Sequence, residues 1–159
     1  MRIIDAFNKI LSKYILPNSI LYGQNINKGS RIAGMTNFLD NIKKAEVINT
    51  QNSENSLVGF GLGLALGGKT SIYFVKQLDF ILLGIDHIVN TLNSLVLEKV
   101  KGSFSIITYI VDSGYEGPQS RFHSLQEISN ISHVNCIYLI FPDDIEYNLK
   151  KINKKIFNI

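Results

Sequence analysis

Asn49-Thr50-Gln51-Asn52-Ser53-Glu54-Asn55-Ser56-Leu57-Val58-Gly59-Phe60-Gly61-Leu62-Gly63-Leu64-Ala65-Leu66-Gly67-Gly68 is the stretch that decides the fold. It begins as the polar exit from an apolar strand over residues 45–48 and turns into a small-residue helix over 53–67. Ser53 reads as the N-cap, its hydroxyl placed to accept one of the orphan amide protons of the first turn. Glu54 falls in that first turn, where the helix dipole favours a negative charge. Gly59, Gly63 and Gly67 recur every fourth residue and so share one helix face. A glycine in a helix interior costs about 0.5–1 kcal/mol relative to alanine, so three on one face imply a close-packed neighbour. Read locally, Glu54 is an ordinary first-turn acid that helps the helix start. The glycines make no phosphate loop: the dinucleotide fingerprint needs G-x-G-x-x-G, and Leu64 and Leu66 stand where its last glycine belongs.

Working outward, strand and helix signals alternate. Residues 3–13 read as an amphipathic helix, 19–22 as a short strand, and 27–30 as a polar loop before a helix over about 35–44. Residues 70–75, Thr-Ser-Ile-Tyr-Phe-Val, are a β-branched and aromatic strand. A long helix is expected over 79–98, and a strand buried on both faces over 104–111. A loop over 112–122, a helix over 123–131, a last buried strand over 134–141 and a closing helix over 143–156 complete the chain. Alternation without hairpin signals predicts a doubly wound α/β fold, a mainly parallel sheet with helices on both faces, as a single domain over 1–159.

Composition narrows the function classes. Hydrophobic residues make up 45%, charged residues 18%, and the net charge is +3. No basic run interleaved with aromatics points to nucleic acid. Lys150, Lys151, Lys154 and Lys155 read as the solvated face of the last helix, with a docking surface as the alternative. The single cysteine, Cys136, reads as an inert core thiol and excludes an intrachain disulfide. No uncharged stretch reaches the roughly 18 residues of a membrane span. Met1-Arg2-Ile3-Ile4-Asp5 acquires an acid before any apolar core forms, so no signal peptide is read and a cytoplasmic location is expected.

In a doubly wound sheet, ligands bind outside the carboxyl ends of the strands. Three loops reach that edge and deliver Glu54, Phe80 and His123, with Asn52, Gln77 and Asp79 nearby. A carboxylate, an aromatic ring and a histidine there suit a flat nitrogenous ring, the acid meeting a ring nitrogen and the aromatic its face. Taken singly, Phe80 also fits a core position, and His123 the start of a helix.

At this point the motifs resemble a family. Residues 47–54, Val-Ile-Asn-Thr-Gln-Asn-Ser-Glu, are similar to the strand-turn-acid segment of transketolase-like thiamine-diphosphate enzymes, above all the beta subunit of 2-oxo acid dehydrogenase decarboxylating components. The likeness continues through residues 58–69 to Leu78-Asp79-Phe80 and Asp86-His87-Ile88-Val89-Asn90, then Gly117-Pro118-Gln119, His123-Ser124 and Ile140-Phe141-Pro142. Upstream it includes Leu21-Tyr22-Gly23-Gln24-Asn25, so it covers about residues 19–145.

The resemblance implies a pyrimidine-binding domain. In the family, the acid matching Glu54 hydrogen-bonds a ring nitrogen of the cofactor's aminopyrimidine and activates the thiazolium carbon. The aromatic matching Phe80 stacks on the pyrimidine, and the histidine matching His123 faces the reacting end as a catalytic residue. Asn52 and Gln77 fall among the cofactor-binding residues. The family's G-D-G diphosphate and magnesium signature does not occur in these residues, and neither the diphosphate-binding domain nor the family's third domain is expected. Gln24 and Asn25 stand where relatives often carry acids, and Ser120-Arg121-Phe122 is inserted before the histidine.

The resemblance therefore implies thiamine diphosphate shared with a separate partner chain that holds Mg2+. It further implies a heterotetramer, inactive without the partner, working on a ketose phosphate or a 2-oxo acid. A non-catalytic relative of the same fold, structural or regulatory, and a flavodoxin-like small-ligand module are the alternatives.

Overall fold

Helix α1, Ile3–Tyr14, opens the chain and turns Ala6, Phe7 and Leu11 inward, the 3–4 spacing of an amphipathic helix. A computed structural model describes residues 2–95, 100–110, 122, 124–152 and 157–159. Strand β1, Ile20–Gly23, is followed by a 3-10 turn at Asn37–Asn41 and by β2, Glu46–Asn49. Next come helix α2, Glu54–Leu66, and strand β3, Thr70–Gln77. A 3-10 helix, Leu78–Gly84, a π turn, His87–Thr91, and the short α3, Leu92–Leu95, follow in succession. Strand β4 is Ser103–Tyr109, helix α4 Gln126–Ile131, helix α5 Pro142–Ile152 and strand β5 Phe157–Asn158.

The strands form one parallel sheet in the order β2-β1-β3-β4-β5. Side chains alternate across it as the pleat requires. Leu21, Ile72, Phe74 and Ile107 point into one cluster with α1 and α5. Tyr22, Tyr73, Val75, Phe104 and Ile106 point into the other with α2 and Ile88. Helices thus cover both faces, and the doubly wound α/β architecture expected from the sequence is the one observed.

Four stretches differ from expectation. The helix expected over 35–44 is only the 3-10 turn, preceded by four residues, Arg31, Ile32, Ala33 and Gly34, with φ of 49°, 51°, 52° and 87°. Left-handed backbone costs about 1–2 kcal/mol per non-glycine residue. Burial of Ile32 and Met35, and the Thr36 hydroxyl, which meets the carbonyls of Ile26 at 2.6 Å and Arg31 at 3.0 Å, hold the segment in place. The helix expected over 79–98 is broken into 3-10, π and α pieces. Its register shifts where Gly84 lies against Val58 and the His87 ring lies against Gly59, both on α2.

The helix expected over 123–131 is shorter, beginning at Gln126. Residues 134–141 are extended but do not pair with β4. Instead β5 lies between them: Asn135 N–H meets Phe157 O at 3.2 Å, Ile159 N–H meets Asn135 O at 3.0 Å, and Ile137 N–H meets Ile159 O at 2.8 Å.

The glycine face of α2 is also redistributed. The buried stripe is Glu54, Leu57, Val58, Gly61, Leu62 and Ala65. Its tight glycine is Gly61, where a Cβ would lie 2.3 Å from the Phe104 ring. Gly59 faces His87, but Gly63 meets nothing within 4 Å and Gly67 is the C-cap. Phe60 and Leu66, 44% and 53% exposed, share the outer side with Gly63. Gly63→Ala is therefore expected to stabilise the chain by about 0.5–1 kcal/mol, the helix-interior difference between the two residues. Thermal melts of the two chains side by side check it.

Candidate functional site

The order β2-β1-β3-β4-β5 reverses direction between β1 and β3, and the crevice at the carboxyl ends of those two strands is where such sheets bind ligands. Gly23 ends β1 there and Gln77 ends β3. The loop from β2 returns to the same edge, since the Thr50 N–H donates to Gly23 O at 3.0 Å and Asn49 Oδ1 accepts the Ile26 N–H at 3.0 Å. That short loop leads into α2, whose first residue is Glu54.

Glu54 is only 7% exposed, and no hydrogen bond from a described residue reaches its carboxylate. Ser53 occupies the N-cap position, but its hydroxyl bonds Ser56 Oγ at 3.0 Å and caps no backbone amide. The cap role read from the sequence is corrected on that point. The first turn is held instead by its own bond from Leu57 N–H to Ser53 O at 2.9 Å.

The 3-10 helix after β3 lies across the same turn. At Gly84 a Cβ would stand 3.5 Å from Glu54 O and 2.7 Å from Val58 Cγ2, so the absence of a side chain permits the approach. This helix carries Phe80, which is half-buried and packed against the α2 cluster. Gln77 is buried at 5% exposure, and Asn52 is exposed in the loop before Glu54. The structure thus brings Glu54 and the helix of Phe80 together and sets Gln77 at the same edge. His123 lies outside the described residues. Its neighbour Phe122 donates its N–H to Asp79 Oδ1 at 3.1 Å, which ties the end of that loop to the exit of β3.

Two residues near Glu54 were not singled out from the sequence as site residues. Tyr73 on β3 is 2% exposed, and its phenol is pushed well above the usual range, first by burial and then by the charge of Glu54. Thr50 Oγ1 is buried without a partner at the exit of β2. Strand alternation was the available signal for Tyr73, because it shares the α2-facing side with Val75. Cys136 is half-buried instead of lying in the core as expected, and its burial pushes the thiol up from its ordinary value. Among the described residues no cluster of His, Cys, Asp and Glu suited to a metal ion occurs, and no helix is long and apolar enough to cross a membrane.

The sequence, with an acid at the start of a glycine-rich helix, is similar to 2-oxo acid dehydrogenase beta subunits, consistent with their pyrimidine-binding domain, as the motifs indicated. Over 146 residues, 89% of the chain, it is 27% identical to a 2-oxoisovalerate dehydrogenase subunit beta 2, mitochondrial, of Arabidopsis thaliana, covering 40% of that protein. Over the same length it is 25% identical to a 2-oxoisovalerate dehydrogenase subunit beta, mitochondrial, of Dictyostelium discoideum, covering 39% of that protein. These homologues are subunits of an enzyme, and the chain spans about two fifths of their length. No family model matches the chain.

Proposed function

We propose that this chain is the pyrimidine-binding subunit of a two-chain thiamine-diphosphate-dependent enzyme, acting on a 2-oxo acid or a ketose phosphate. The observation that carries the reading is Glu54, an acid only 7% exposed at the start of α2, at the edge where the sheet order reverses between β1 and β3. That site fits a flat ring with an acceptor nitrogen at its edge, which the cofactor's aminopyrimidine would supply. Glu54 would share a proton with that ring nitrogen, in a water-poor setting that strengthens the interaction. Phe80 presents an aromatic face from the 3-10 helix. Gln77 and Asn52 contact the ring's periphery, and His123 serves the reacting end. When bound, thiamine diphosphate supplies a nucleophilic carbon that attacks a carbonyl and then acts as an electron sink.

The relatives are named as subunits, and on that likeness the diphosphate and its Mg2+ are assigned to a partner chain. The complex is proposed to hold two copies of each chain, with the outer side of α2, where Phe60, Gly63 and Leu66 are exposed, as an interface. The cytoplasm is the proposed location, on composition alone; the relatives are mitochondrial by name.

Native purification of the chain from its own cells tests the reading. The expected result is stoichiometric recovery of a second chain carrying Gly-Asp-Gly and a later Asn, with saturable binding of thiamine diphosphate and Mg2+ by the complex. A chain recovered alone and indifferent to both would overturn it in favour of a non-catalytic relative.

A further inference from the structure

Two tyrosines on neighbouring strands lie beneath the first turn of α2. In the register of β1 and β3, Tyr22 stands opposite Tyr73. Their rings stack with centroids 5.2 Å apart and planes 9° from parallel. Tyr22 is wholly buried and Tyr73 nearly so. A buried phenol must find a polar partner, and the Tyr22 hydroxyl donates to Leu57 O at 2.8 Å. Phe60 meets the Tyr22 ring edge-on at 5.2 Å. Leu57 and Phe60 both belong to α2, within two turns of Glu54, so Tyr22 fastens the start of that helix to the sheet.

The helix comes within reach of Tyr22 because Gly61 carries no side chain above the Phe104 ring. Tyr73 leans on the far side of Tyr22, and the Glu54 carboxylate is close enough for its charge to act on the Tyr73 phenol. A leucine or phenylalanine at either position would fill the same apolar cluster without the desolvation cost of a hydroxyl. The Tyr22 hydroxyl, bonded to the helix, is therefore the feature that packing alone leaves unexplained, and Tyr73 contributes its ring.

We infer that the Tyr22–Tyr73 stack is the positioning element for Glu54. Tyr22 sets the height and tilt of the first turn of α2 through Leu57 O, and Tyr73 holds the Tyr22 ring in place by stacking on it. Both are positioning residues, acting on the chemistry through Glu54. The consequence for turnover rests on the proposed function, whereas the geometry is read out in the chain alone.

The test is the carboxyl-carbon resonance of Glu54 in the full chain labelled with 13C-glutamate, assigned by its loss in Glu54→Gln and recorded at neutral pH. Tyr22→Phe and Tyr73→Leu are expected to shift that resonance. Tyr73→Phe, which keeps the stacked ring, is expected to return it towards the wild-type position. Phe38→Leu, in the cluster on the opposite face of the sheet, is the control. It is expected to lower the melting temperature and leave the resonance in place.

An unchanged resonance in Tyr22→Phe overturns the inference, as does an equal shift in Phe38→Leu. Tyr22→Phe removes one hydroxyl from an otherwise intact ring, so it decides the matter even if Tyr73→Leu does not fold. A shifted resonance together with full turnover in Glu54→Gln would defeat the proposed function and leave the positioning role standing. A silent resonance with turnover lost in Glu54→Gln would do the reverse.

Discussion

Glu54→Gln in the complex of this chain with its partner is expected to lower turnover by about 10²–10⁴-fold, the range a positioned general acid or base contributes. Glutamine has almost the same size and can still accept a hydrogen bond, but it does not bring the carboxylate's charge. No hydrogen bond from a described residue reaches the Glu54 carboxylate, so assembly of the complex is expected to survive the change. Steady-state kinetics beside size-exclusion chromatography separate the two effects. Phe80→Ala in the same assay should raise the apparent cofactor requirement, since it removes a ring face without removing a charge. Turnover at the wild-type level in both variants would take this crevice out of the chemistry and leave the chain as a structural member of its complex.

Gly23→Ala is expected to be among the most destabilising single changes at this edge. Gly23 has φ +153°, a conformation that side-chain-bearing residues rarely adopt, and a Cβ there would lie 2.3 Å from Phe74 O and 3.0 Å from Ile26 Cγ2. The nearest obstacle is the backbone of the adjacent strand, so no side-chain rotation relieves it. Backbone strain of about 1–3 kcal/mol and overpacking of about 1–3 kcal/mol add to a loss of about 2–6 kcal/mol. For a domain of this size each kcal/mol lowers the melting temperature by about 2–4 °C. A melt within the error of wild type would show that β1 and β3 separate more easily than their pairing indicates. Gly63→Ala, with open space around it, is the contrasting case that should melt higher.

The alternation of strands and helices, and with it the doubly wound sheet, was legible because β1 to β4 are built on apolar β-branched or aromatic residues, whereas the two-residue β5 has no such run and was not expected. Glu54 was legible as well, since a polar turn after a strand and before a helix fixes which residue begins the first turn. What escaped the sequence lay in packing between distant segments. The 3.6-residue pattern across residues 79–98 is real, but it cannot reveal that Gly84 and His87 must fit against Val58 and Gly59. Glycine spacing alone assigned Gly59, Gly63 and Gly67 to a contact, whereas the sheet selects Gly61 because Phe104 rises beneath it. The left-handed turn at Arg31–Gly34 has no local signature at Ile32, a β-branched residue that ordinarily avoids that backbone; burial and the Thr36 hydrogen bonds override its preference. Tyr73 reads as one more apolar strand residue until its neighbour across the sheet and the acid above it are known.

The placement of β5 bears on the order in which the molecule assembles. Phe157 pairs with Phe104, so closing that contact joins residues 53 positions apart, while Phe157–Ile159 also bonds the segment at Asn135–Ile137. The separation is close to the 51 positions between Tyr22 and Tyr73 in β1 and β3, so the delay comes from the walls: a two-residue strand flanked on both sides cannot enter until both exist. The edge of the sheet beyond β4 is thus expected to form last and open first. Its amides at Ile137 and Ile159 should exchange with solvent through a local opening, well before those of β1 and β3 in the interior. The chain would then carry its slowest-forming and most easily lost contact at its own end, leaving the crevice beside Glu54 intact while that edge opens and closes.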